Sequence, residues 1–159
     1  METSIQSKQE VFLDRVNELL SRMKKWLSKN NYSFQDAETN ITEKNKRYFA
    51  PAIDLTIPEK NYKVKIIPIG CFIIGAEGRV DIVGSLDRAI LVFLRKGGPA
   101  VTIQEQNRNV SMTPGQPRLF FKNINEDGWY WIEDKRLGRA KPIDEELFMD
   151  LLRWVSYEL

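Results

Sequence analysis

The sequence predicts an α+β fold, an antiparallel meander sheet covered by a long N-terminal helix and a C-terminal helix. Three observations predict it. Apolar residues recur at spacings of three and four near both ends of the chain. Between them lie short apolar runs joined by turns too brief to hold a crossover helix. The chain has 159 residues, 42% of them hydrophobic, enough for one core and a single domain, 1–159.

The first helix is expected over residues 7–29. Phe12, Val16, Leu19, Leu20, Met23, Trp26 and Leu27 form its apolar stripe, while Arg15, Glu18, Arg22 and Lys25 fall on the other side. Asn30-Asn31 is the expected stop. Residues 33–47 are polar and read as a loop with a short edge strand. Ile53, Leu55 and Ile57 alternate with Asp54 and Thr56, the pattern of a half-buried strand that Pro58 ends. Further strands are expected at Tyr62–Ile67, Cys71–Ile74 and Arg79–Val83. In the last of these, Val80 and Ile82 share one face and Asp81 takes the other. Ala89–Leu94 is apolar throughout and should be buried on both faces.

Val101–Ile103 would add a strand, and residues 104–118 form a long polar loop with a short strand at Val110–Met112. Leu119–Phe121 and Trp129–Ile132 are two late strands, and residues 135–141 a basic loop. Asp144 is the N-cap of the last helix, with Glu145 and Glu146 in its first turn. Ile143 and Phe148 have the spacing of a hydrophobic staple, and Leu147, Leu151 and Val155 stack behind them.

The composition excludes much chemistry. There is no histidine, so histidine-based triads and His/Cys zinc sites within one chain are ruled out. The single cysteine, Cys71, excludes an intramolecular disulfide. A formal net charge of +2 gives no global attraction to nucleic acid. The N-terminus lacks an apolar signal core, and no apolar run is long enough to span a bilayer. The expected location is the cytoplasm, with no membrane partner and no cofactor.

Ser21-Arg-Met-Lys24 matches an S-x-x-K pattern but lacks its companion motifs, and Met23 belongs to the apolar stripe. Gly70, Gly75, Gly78 and Gly84 precede no helix and no Gly-Lys-Ser/Thr, so they read as turn residues. Trp129 and Trp131 share one face of a strand, close to Lys135, Arg136, Arg139 and Lys141. Those six residues are the candidate binding surface, a stacking platform with a cationic rim. The plainer reading places the indoles beneath the C-terminal helix and the cations in solvent.

Two stretches carry a resemblance. Ile67-Pro-Ile-Gly-Cys-Phe-Ile-Ile-Gly-Ala-Glu-Gly-Arg-Val-Asp-Ile-Val-Gly84 resembles a strand-turn-strand segment of uncharacterised small bacterial proteins, with an I-x-G-A-x-G-R-V-D-I-x-G hairpin, which implies a bacterial source and brings no activity. Asp81, followed one strand later by Lys96, resembles part of the PD-(D/E)XK nuclease core, which implies a Mg²⁺ site. Asp81 would match its first acid, Lys96 its lysine and Glu18 an auxiliary acid, but Leu94 stands where the second acid belongs.

Two readings of function follow. One is a non-catalytic binding or accessory protein acting through a macromolecular partner, a protein first and a nucleic acid second. The other is a degenerate or unusual Mg²⁺-dependent nuclease centred on Asp81 and Lys96, which requires those residues and another carboxylate to meet in one cleft.

Overall fold

In the computed structural model of the protein the N-terminal stripe forms one side of a helix, α1 (Glu2–Lys29). The structure describes residues 2–98, 100–102, 117–119, 121, 124–134 and 136–156, with backbone alone at 2–3, 100–102 and 117–119. The expected strand at Val110–Met112 lies outside the described residues. Phe12, Val16, Leu19, Leu20, Met23 and Leu27 are buried, and Trp26 packs at the margin of the same cluster. The helix stops at the expected asparagines. Asn31 takes φ 64°, the Tyr32 N–H donates to the Leu27 carbonyl at 2.8 Å, and the Asn31 N–H donates to the Ser28 carbonyl at 3.1 Å. This is a Schellman ending with asparagine in the left-handed position.

The strands that follow are β1 (Ser33–Glu43), β2 (Lys46–Ile57), β3 (Tyr62–Gly70), β4 (Arg79–Val83) and β5 (Arg88–Leu94). Then come β6 (Ala100–Thr102), β7 (Pro117–Leu119), β8 (Gly128–Asp134) and β9 (Arg139–Pro142). Seven strands form one sheet in the order β1-β2-β3-β4-β5-β8-β9, each pair antiparallel, while β6 and β7 pair separately. This is the expected meander. The last helix, α2 (Glu145–Ser156), begins as its sequence predicts: Asp144 Oδ1 accepts the Leu147 N–H at 2.8 Å.

α1 begins earlier than expected, and the strand expected at Leu119–Phe121 is instead Pro117–Leu119, partly within the expected loop. Three larger expectations also change. Residues 33–47 are not a loop: β1 and most of β2 form a long hairpin, turning at Lys44 and Asn45, both at positive φ. Two successive left-handed residues match the right-handed twist of the flanking strands. The hairpin buries Ile53, Leu55 and Ile57 in one parity and Ala50 and Ala52 in the other. A long ribbon twists enough to present opposite faces at its two ends, and β3 pairs only with its Ile53–Ile57 end. Secondly, Cys71–Ile74 is not a strand; residues 71–78 form a loop with one isolated bridge, Ile73 to Ala76. Thirdly, the basic stretch before α2 is a tight turn leading into the edge strand β9.

Both helices cover one sheet face. Val80, Ile82, Ala89 and Leu91 join the α1 and α2 residues in one buried cluster. Val92, Leu94 and Tyr130 form a smaller cluster with Phe121 and Ile124, so β5 is buried on both faces as expected. The helices meet at Trp26 and Phe148, whose ring centroids lie 5.5 Å apart. Lys29 on α1 pairs with Glu145 on α2 at 3.0 Å. No helix among the described residues is long and apolar enough to cross a membrane.

The C-terminus of α2 docks on the turn between β4 and β5. The Val155 carbonyl, in the last turn of α2, accepts N–H groups from Leu86 at 2.9 Å and Asp87 at 3.1 Å. A Cβ on Gly84 would sit 2.3 Å from that carbonyl oxygen. Gly84→Ala is therefore expected to destabilise the protein by about 1–3 kcal/mol, the usual cost of overpacking. Chemical denaturation checks it; a midpoint equal to the wild type would mean that this contact is not rigid.

Candidate functional site

Asp81 is the one fully buried carboxylate among the described residues, at 0% exposure. Alternation along β4 turns it away from the helices, because its neighbours Val80 and Ile82 face them. A carboxylate in that position needs charge-assisted partners, and two strands supply them. Arg79, two residues back on the same strand, donates from Nε to Oδ1 at 2.8 Å and from Nη2 to Oδ2 at 2.9 Å. Arg88 opens β5, whose Ile90 lies opposite Asp81, and donates from Nη1 to Oδ2 at 2.8 Å. Hydrogen bonding to Asp81 raises the Arg79 pKa further above its already high value. The same-face Arg79–Asp81 pair follows from the i, i+2 spacing in the sequence. Arg88 does not, because its place depends on the β4–β5 register.

The other residues of the nuclease-like set lie elsewhere. Glu18 is exposed on α1, across the sheet from Asp81. Lys96 is exposed beyond the end of β5, where its backbone N–H donates to Asp127 Oδ1 at 2.7 Å. Among the described residues no three acidic or cysteine side chains group closely enough to hold a metal ion. The second acid that a Mg²⁺ site requires is not beside Asp81, and two guanidinium groups occupy that carboxylate instead.

The aromatic strand divides in two. Trp129 is 5% exposed and donates from its indole N–H to the Arg15 carbonyl at 3.3 Å, so it is a core residue under α1 and offers no stacking surface. Phe93 meets it edge-on at 5.6 Å, and the Arg15 guanidinium lies 4.0 Å from the Phe93 ring centroid. Trp131 is half-buried, and its exposed partner is Trp154 of α2, 41% exposed, with centroids 6.2 Å apart and planes at 66°. Lys141, directly opposite Trp131 on β9, places its ammonium 6.0 Å over that ring and pairs with Glu133 at 3.6 Å. Arg136 and Arg139 are exposed at the adjoining turn, and Lys135 lies outside the described residues. Trp154 was not singled out in the sequence, because its pairing with Trp131 depends on how α2 docks on the sheet.

A second polar knot was also missed. Glu43, at the tip of the β1–β2 hairpin, accepts the Tyr48 hydroxyl at 2.5 Å and the Phe72 N–H at 2.9 Å. The Cys71 N–H donates to both carboxylate oxygens at 3.1 Å. This carboxylate fastens the hairpin tip to the loop after β3. A Cβ on Gly70 would meet Glu43 Oε2 at 2.4 Å, so a larger residue there would displace the carboxylate from this knot. Burial pushes the Cys71 thiol up to about 11, with the nearby Glu43 charge as the next cause. Tyr48 moves in the same direction for the same reasons. Such a thiol is a core residue and a poor nucleophile near neutral pH.

Two outcomes follow. Asp81→Asn leaves two guanidinium groups without their anion. It should destabilise the protein by about 3 kcal/mol, the low end for a broken buried pair because both arginines keep some hydration. A denaturation midpoint unchanged from the wild type would contradict this. The Cys71 proton is held more tightly in the folded state than in the unfolded one. Stability from this group is therefore complete below about pH 9 and is lost as pH rises through 9 to about 11. Cys71→Ala should soften the alkaline fall in melting temperature across that window; identical alkaline profiles would contradict it. No protein-family model, no curated protein and no solved structure matches this chain.

Proposed function

We propose that this is a non-catalytic binding protein acting through a macromolecular partner, and that the partner is a protein. The observation that carries the reading is the edge-on Trp131–Trp154 pair, open to solvent through Trp154 and bordered by Lys141 and Arg139. Tryptophan and arginine are the residues most enriched where protein interfaces concentrate their energy. Among the described residues the adjoining β9 is the last strand of the sheet, the position at which an added strand would pair.

The geometry favours a protein over a single-stranded nucleic acid. Base stacking needs an open ring face. The two indoles are strongly inclined, and the Lys141 ammonium stands over Trp131. Carboxylates also interleave with the cations: Glu133 takes Lys141, and Asp134 Oδ1 accepts the backbone N–H groups of Arg136 and Leu137. A continuous phosphate track would meet both signs of charge here.

A photo-crosslinking residue placed at Asp150, exposed on α2 one turn before Trp154, tests the reading in cells. Discrete protein adducts are expected, absent with the same crosslinker at the highly exposed Ile74 and lost with Trp154→Ala. No adducts, or adducts indifferent to Trp154, would overturn the proposal. In parallel, a labelled single strand should bind weakly, and equally to wild type and to Lys135→Ala/Arg136→Ala/Arg139→Ala/Lys141→Ala. Salt-sensitive binding lost in that variant would replace the protein partner with a nucleic acid.

A further inference from the structure

The sheet face without helices carries a cationic arrangement that the Trp131–Trp154 surface does not use. One cross-strand row on that face runs Gln35, Asp54, Lys65, Val83, Arg88 through β1 to β5. Arg79 and Arg88 both donate to Asp81 Oδ2, so their guanidinium groups converge on a single atom. Two positive charges then face one negative charge, and the triad keeps a net charge of +1. Among the described residues, neither the Arg79 nor the Arg88 side chain has an acceptor beyond Asp81, and Lys65 has no ion pair.

Access is open. Side-chain exposure is 29% for Arg79 and 51% for Arg88, while Asp81 beneath them is sealed. The buried carboxylate thus holds both guanidinium groups, whose side chains stay partly exposed, as a positioning residue does for a binding site. Lys65 and Arg88 are two strand spacings apart, about 10 Å between Cα atoms, with half-buried Val83 between them. Lys65, exposed and without an ion pair among the described residues, is long enough to reach an anion held at the two fixed guanidinium groups. Asp54 lies beyond Lys65, one strand farther from Arg88.

We propose that Arg79, Arg88 and Lys65 form a binding site for a phosphate group, with Asp81 holding the arginines in place. The charge matches: +1 from the triad and +1 from Lys65 meet a phosphate monoester of about −1.5 to −2 at neutral pH. The chemistry matches as well, because guanidinium forks bind phosphate oxygens in pairs. The site is on the opposite side of the sheet from Trp131 and Trp154, and it stands or falls independently of the protein-binding proposal.

Titrating the full chain with inorganic phosphate, followed by calorimetry and by the arginine Nε–H signals, tests the site. Saturable binding that moves the Arg79 and Arg88 signals is expected. Arg88→Gln and Lys65→Gln should each weaken it about tenfold, the scale of one charge-assisted hydrogen bond. Arg95→Gln, which removes an exposed cation paired with Glu77 beyond β5, should leave it unchanged. Lys65 is exposed and unpaired among the described residues, so its variant remains informative even if Arg88→Gln does not fold. No saturable binding, equal loss in Arg95→Gln, or wild-type affinity in Lys65→Gln would overturn the proposal. Acetate binding as tightly as phosphate would overturn the assignment to phosphate in favour of a carboxylate ligand.

Discussion

The structure depends on covering one face of a seven-stranded antiparallel sheet. That face carries Ile53, Leu55, Val64, Ile66, Val80, Ile82 and Leu91, all buried. Burying each such side chain is worth about 1.5–3 kcal/mol, and among the described residues the two helices bring the apolar surface that does it. The stripe of α1 supplies most of the cover, and α2 supplies the rest through Phe148, Leu151, Leu152 and Val155. The helix ends are arranged to suit this layer. The Schellman ending turns the chain from α1 into β1, the Asp144 cap starts α2, and the β4–β5 turn takes up the Val155 carbonyl.

The opposite face follows different physics. Its middle is neither a second apolar layer nor a plain solvated surface, because Asp81 is buried there under two arginines. A buried ion cluster is weak evidence for stability, since desolvation offsets much of the Coulombic gain. The more specific consequence is orientation: a sealed carboxylate holds two guanidinium groups in one place with charge to spare. The Glu43 knot is the contrasting case. There one carboxylate is saturated by a hydroxyl and two backbone N–H groups, and its result is structural closure of the hairpin tip.

Much of this was legible along the chain. The α1 stripe, the Asn30-Asn31 stop, the Asp144 cap and the double-sided burial of β5 all depend on near neighbours, and local pattern reports them directly. The β1–β2 hairpin was not legible. Its distal strands are polar, its turn is Lys-Asn rather than a glycine pair, and its buried side switches at Ala52–Ile53, so no single alternation runs through it. Cys71–Ile74 failed in the opposite way. It is apolar enough for a strand, but Gly70 and the Glu43 contact turn it into a loop.

For the candidate sites the division is the same. The sequence by itself determined which chemistry is absent: without histidine and with one cysteine, the usual acid–base and zinc constellations cannot be built. It also placed Asp81 beside Arg79 and on the face opposite Val80, because strand alternation is local. Only the tertiary structure decided that Arg88 completes the cluster, that Trp129 is core, and that Trp131 finds Trp154 rather than an open rim. Each of those facts joins residues far apart in the chain, through strand register or helix docking. Those pairings come from the burial of the whole sheet face, a sum over the fold that no short window of sequence contains.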